Sequence, residues 1–159
     1  MKRKSGVRAR RGAGRTRTRS SRARTTAAEV RSPAAPSPVG PYSQAVAAGE
    51  LLFLSGQIPL DPSTQKLVAG EIEEQTVRVI ENLAAVLAAG GSSLAGVVRT
   101  TVYLTDLALF PRMNAVYARY FDQLPQPARS TLQAAALPLG AQIEIDAIAL
   151  RRRKAASHR

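Results

Sequence analysis

The residues of this sequence best able to do chemistry are Arg129, Glu144 and Asp146. Arg129 stands in the run 127–137, Pro-Ala-Arg-Ser-Thr-Leu-Gln-Ala-Ala-Ala-Leu, and the two acids stand in 143–150, Ile-Glu-Ile-Asp-Ala-Ile-Ala-Leu. Both runs have strand length and apolar bulk, and Pro138 and Gly140 between them force a turn. They read as two strands, or a strand and its return, at least partly buried. A guanidinium or a carboxylate in such a strand costs free energy unless it finds a partner. Arg129 can grip a carboxylate through two parallel hydrogen bonds, and Glu144 in the same cleft can position a water or move a proton. On spacing alone the plainer account is a structural ion pair across adjacent strands. Asp146 alternates with Glu144 and shares its strand face, where a satisfied surface acid would also sit.

The rest of the composition narrows the chemistry. There is no cysteine, so disulfides and thiolate metal sites are excluded. His158 is the only histidine and lies in the C-terminal tail, which removes His-based triads and His-ligated zinc. What remains is anion recognition with modest acid–base work, to which Tyr42 and Ser55 can add hydroxyls and Gly56 a close backbone approach.

The net charge of +12 over 159 residues is unevenly spread. Residues 1–31 hold 12 Lys and Arg against Glu29 alone, and 151–159 hold five bases and no acid. Residues 32–150 are mildly acidic, with six bases against ten acids. The first 31 residues carry too little apolar surface to offset chain entropy and are expected to be disordered. Three readings of them stay open: a tail making non-specific nucleic-acid contacts, a transit peptide without an apolar face, and a solvated appendage outside the chemistry. No apolar run approaches a membrane span or a secretory signal, so the expected setting is cytoplasmic, with organelle targeting by the tail left open.

Pro33, Pro36 and Pro38 mark an extended linker, placing the domain at 32–151 with a basic tail at 152–159. Ser43–Ala48 and Leu51–Ile58, split by Gly49-Glu50, predict a β-hairpin. Asp61-Pro62-Ser63-Thr64 is a turn, and 66–68 a brief strand. Ile72, Thr76, Val79, Leu83, Val86 and Leu87 give residues 71–89 a helical stripe that Gly90-Gly91 ends. Val97–Leu104 is a strand and Pro111–Leu124 a second helix, with Met113, Val116, Tyr117, Tyr120 and Phe121 on its apolar face. The order is β-β-α-β-α-β-β. Two helices cover one face of such a sheet, and an uncovered apolar face predicts an oligomer.

Several motifs now fall into one order. Pro127-Ala128-Arg129-Ser130-Thr131-Leu132, with fifteen positions from Arg129 to Glu144, is preceded by Gly40-Pro41-Tyr42-Ser43-Gln44-Ala45, Leu54-Ser55-Gly56-Gln57-Ile58-Pro59 and Met113-Asn114-Ala115-Val116-Tyr117. Together they resemble the signature of the Rid (YjgF, UK114) family of imine deaminases. The resemblance implies an α+β, chorismate-mutase-like fold: a mixed sheet with two helices on one face, assembled as a homotrimer with clefts between subunits. It implies hydrolysis of 2-imino acids such as 2-iminobutanoate and 2-iminopropanoate, made by pyridoxal-phosphate enzymes, to 2-keto acids and ammonia, with no cofactor and no metal. Arg129 would bind the substrate carboxylate and Glu144 position the water, with Tyr42, Ser55, Gly56, Asn114 and Thr131 lining or ordering the pocket. Many members carry cysteine where this chain has Thr131. Hydrolysis needs no thiol, so activity is expected to survive the change, while thiol-based modification there is excluded.

Taken singly these residues are ordinary: a turn aromatic, a turn hydroxyl, a helix-face amide. Two rival classes accompany the enzyme reading. One is an RNA-associated or ribonuclease-like homologue, since family members have been described as translation inhibitors; the acidic domain and the missing His or metal set argue against it. The other is a ligand-binding or chaperone-like trimer that uses the same cleft without turnover.

Overall fold

A computed structural model of the chain describes residues 27–122 and 125–152. Ile72, Thr76, Val79, Leu83, Val86 and Leu87 all fall on the buried side of a helix, α1 (Ile72–Ala89). Its start is held by Glu74, whose carboxylate accepts from the Glu71 amide at 2.9 Å. Its end is capped by Gly90 and Gly91, whose amides return to Val86 and Ala88. The second helix, α2 (Phe110–Tyr120), buries Met113, Val116 and Tyr117 and packs against α1.

Both helices lie on one face of a single six-stranded mixed sheet. Its strands are β1 (Ala28–Val30), β2 (Ala45–Ala48), β3 (Leu51–Gln57), β4 (Val97–Leu104), β5 (Ala128–Gln133) and β6 (Ile143–Leu150), in spatial order β1-β2-β3-β6-β4-β5. All pairings are antiparallel except β4 with β5. Along β6, Ile143, Ile145, Ala147 and Ala149 point under the helices, while Glu144, Asp146 and Ile148 point the other way. No helix among the described residues covers that other face: Phe53 is 42% exposed and Leu150 50%.

Three expectations are corrected. The runs around Arg129 and Glu144 are not neighbouring strands, because β4 lies between β5 and β6. The turn at Pro138–Gly140 reverses the chain, but the returning strand has two better partners in β3 and β4. Residues 28–30 are not part of a disordered tail; they form β1 on the sheet edge, which makes the order β-β-β-α-β-α-β-β. The proline segment is no free linker either. Gln44 is 4% exposed; its amide oxygen accepts from the Ser32 amide (2.6 Å), and its nitrogen donates to the Ser32, Ala35 and Pro36 carbonyls (3.2, 3.4 and 2.7 Å). A buried side-chain amide with every group used in this way straps residues 32–36 onto the domain. The expected disorder of residues 1–26, the basic tail from 153, and the end of the second helix at 123–124 lie outside the described residues. No described helix is long and apolar enough to cross a membrane.

Candidate active site

Glu144 is half-buried on the open face of β6, and its carboxylate leans against the backbone of β3 at Gly56. A Cβ built at Gly56 would land on that carboxylate. The missing side chain is therefore a close-approach requirement. Burial raises the Glu144 carboxyl above the ordinary glutamate range, and the charge of Asp146 on the same face adds to the rise. Asp146 accepts a hydrogen bond from the Tyr103 hydroxyl at 3.1 Å.

Around Glu144 lies a cavity of about 410 Å³ lined by Val39, Gly40, Tyr42, Ser55, Gly56, Ile58 and Pro138. Its hydroxyls have defined polarity. Ser55 Oγ donates to the Ser43 carbonyl at 2.7 Å and so faces the cavity as an acceptor. Tyr42 Oη accepts from the Val39 amide at 3.2 Å, which leaves its proton free to donate.

Arg129 is elsewhere. It pairs in register with Thr100, whose side chain is buried under the helices, so it lies on the helix face at the sheet's β5 edge. Its guanidinium carbon stands 4.6 Å from the ring centroid of Tyr117 and 5.5 Å from that of Phe110. An aromatic face under a guanidinium attracts its charge and holds its plane. Tyr117 is fixed in turn, its hydroxyl 2.8 Å from Thr100 Oγ1 and its ring stacked on Phe121 at 4.4 Å. Asn114, Tyr117, Phe121, Gln126 and Arg129 line a second cavity of about 330 Å³.

The protomer thus sorts the expected residues into two groups. Tyr42, Ser55, Gly56 and Glu144 share one cavity; Asn114 and Arg129 share another, on the opposite face of the sheet. Arg129 and Glu144 do not converge within one chain, and neither forms an ion pair among the described residues, so the structural-pair account fails here. Thr131 follows Arg129 on the same side of β5, in register with Val102, and lines neither cavity. The helical spacing of Met113, Val116, Tyr117, Tyr120 and Phe121 marks Tyr117 as a core-face residue. Its place one helical turn after Asn114 was the available signal that it also faces Arg129.

The Endoribonuclease L-PSP family model matches residues 32–151. Protein DfrA of Myxococcus xanthus is 57% identical over 121 residues, covering 75% of this chain and 92% of that protein. Reactive Intermediate Deaminase A, chloroplastic, of Arabidopsis thaliana is 51% identical over 115 residues, 72% of this chain and 61% of its own length. Among solved structures, E. coli TdcF with bound serine superimposes with a TM-score of 0.75 at 38% identity, covering 79% of this chain and 99% of that one.

Proposed function

The chain belongs to the Rid family, and from that premise we propose that it hydrolyses small 2-imino acids to 2-keto acids and ammonia, at a site assembled between copies of itself. The observation that carries this reading is the division of the site. Each protomer offers an aromatic-backed guanidinium without an ion pair among the described residues on one face, and a proton-accepting carboxylate in a hydroxyl-lined cavity on the other. Apposing the first face of one copy to the second face of its neighbour completes an anion grip and a base around one cleft. An interface that joins unlike patches makes a ring when its rotation closes, and a homotrimer is the ring we propose, with the uncovered sheet face supplying apolar contact.

In that cleft Arg129 fixes the substrate carboxylate, and Asn114 borders it. Glu144 takes a proton from water as its oxygen attacks C2. The C=N π electrons move to nitrogen, which takes that proton back from Glu144 to give a carbinolamine; Glu144 then carries the hydroxyl proton to the same nitrogen, and ammonia leaves as the oxygen lone pair forms the C=O bond. Tyr42 and Ser55 supply a donor and an acceptor to the tetrahedral centre. An imine already hydrolyses in water, so orientation and charge placement suffice. We assign this work to the cytoplasm.

The test is a coupled assay in which a threonine dehydratase generates the imine and keto-acid formation is followed with and without the protein. No acceleration by a folded assembly would replace the reaction by the binding-only reading, and a monomeric mass by light scattering would remove the shared cleft.

Two further outcomes are expected. Glu144 must be ionised to accept a proton, and its carboxyl sits above the ordinary glutamate value of about 4.3. The acid limb of kcat/KM should therefore lie above that value, and Asp146→Asn, which removes one cause of the shift, should move the limb back down. A pH–rate profile of both proteins reads this directly. Gly56→Ala places a methyl where the carboxylate rests. The flexible acid yields before the backbone does, at a stability cost of about 1 kcal/mol. Turnover should fall by at least about tenfold with the melting temperature little changed, because a misplaced base loses its attack geometry.

A further inference from the structure

Thr100 breaks the pattern of its strand. Along β4 the positions under the helices include Thr100, Val102 and Leu104, all fully buried. Two are aliphatic, and a valine would fill the third without a hydroxyl to take out of water. The Thr100 hydroxyl stands 2.8 Å from that of Tyr117. Burial lifts the Tyr117 hydroxyl above the ordinary tyrosine range, so it bonds Thr100 as a neutral group. Its ring therefore meets Arg129 as a π face and not as a phenolate.

These contacts close a loop. Thr100 is the residue of β4 in register with Arg129. From the Arg129 backbone the path runs to Thr100, to Tyr117 on α2, and back to the guanidinium, 4.6 Å from the ring centroid. Phe110, two helical turns before Tyr117, adds a second ring at 5.5 Å. The Phe121 stack holds the Tyr117 ring from one side, and the Thr100 hydroxyl pins its polar tip. We infer that Thr100 is a positioning residue: through Tyr117 it sets the orientation of the Arg129 guanidinium, and so the geometry in which a carboxylate is gripped. The inference rests on Arg129 as the anion grip of the proposed reaction. A guanidinium's donors lie in its plane, so a ring that fixes that plane fixes where two parallel N–H···O bonds can reach. Arg129 is a long, exposed side chain on an edge strand. Without the ring it samples many rotamers, a freedom that binding must then remove.

The experiment compares Thr100→Val, Tyr117→Phe, their double variant and Tyr117→Leu, each in the full chain with Arg129 intact and with Arg129→Ala. Binding of 2-oxobutanoate, the keto-acid product, is read by calorimetry. The Arg129 Nε–H signal is read by proton–nitrogen correlation and assigned by its absence in Arg129→Ala. Thr100→Val and Tyr117→Phe should each weaken binding about fivefold, the effect of one hydrogen bond. The double variant should bind no worse than either, because both changes remove one shared contact and together leave no buried hydroxyl unpaired. Tyr117→Leu takes the ring itself and should weaken binding by about tenfold or more. The Nε–H signal should move in all four, and imine turnover should show the loss in KM, with kcat changed by less than about twofold. In the Arg129→Ala background the same substitutions should leave kcat/KM where Arg129→Ala alone puts it. A parent that binds 2-oxobutanoate through Arg129 yet does not hydrolyse the imine removes the hydrolysis alone, and the binding and Nε–H data still decide the role of Thr100. That role is overturned if the two conservative variants bind like the parent with an unmoved signal, or if their losses persist without Arg129, which would make the pair structural. A parent without Arg129-dependent binding overturns both readings.

Discussion

Arg129→Ala is expected to lower kcat/KM for 2-iminobutanoate by about 10²–10³-fold while the assembly stays intact. Truncating one partner of a desolvated charge pair costs about 2–5 kcal/mol, and each 1.4 kcal/mol is a factor of ten. The fold does not depend on this side chain: Arg129 is exposed on an edge strand and forms no ion pair among the described residues. Arg129→Lys should recover only part of the loss, because an ammonium offers neither the two-pronged grip nor a flat surface to lie on Tyr117. Parent-like turnover in Arg129→Ala would remove the anion grip from the mechanism. Steady-state kinetics with light scattering separate that outcome from dissociation.

Glu144→Gln has the opposite character. Turnover should fall by about 10²–10⁴-fold with KM little altered, the loss expected when a general base is removed from a site that still binds. Stability should move the other way. The carboxyl is raised in the folded protein by burial and by Asp146, so the fold binds that proton more tightly than the unfolded chain does. Its contribution to stability therefore falls as pH rises from the unfolded toward the folded value, and the full cost is present above the latter. Glutamine removes that cost. Glu144→Gln should melt higher than the parent at neutral pH, and the gain should vanish below the unfolded value. Thermal denaturation at two pH values decides it, and a lower melting temperature at neutral pH would mean the carboxylate is a structural partner.

Together the two variants test the division of the site. Each is inactive alone for a different reason, so mixing them under subunit exchange should restore about a quarter of the sites, as expected when unlike faces of neighbouring copies meet at random. Residues acting within one chain would restore none.

Much of this fold was legible from periodicity. The stripe of α1, its Gly90-Gly91 stop, β4, and the alternation of β6 follow from side chains repeating at the period their burial demands. What failed was partnership between distant segments. A turn at Pro138–Gly140 announces a reversal but not which strands receive the return, so β6 looked like the mate of β5. β1 is three residues beside arginines and carries no alternation to detect. The site residues were legible only through motif order, because Tyr42, Ser55 and Asn114 are commonplace singly. Nothing local marked Arg129 and Glu144 as lying on opposite faces; that depends on the registers that set Arg129 beside Thr100 and Glu144 beside Tyr103, positions of opposite parity along β4.

The Gln44 strap has a consequence for the proposed assembly. Val39, Gly40 and Tyr42, which wall the Glu144 cavity, come directly after a segment whose three prolines already limit the unfolded chain and whose buried residues one amide secures. The wall is therefore in place in the lone protomer, and in the proposed assembly a neighbour would meet that segment already ordered. At this wall the proposed association would be the meeting of finished surfaces, its entropy cost there being rigid-body freedom and side chains at the rim.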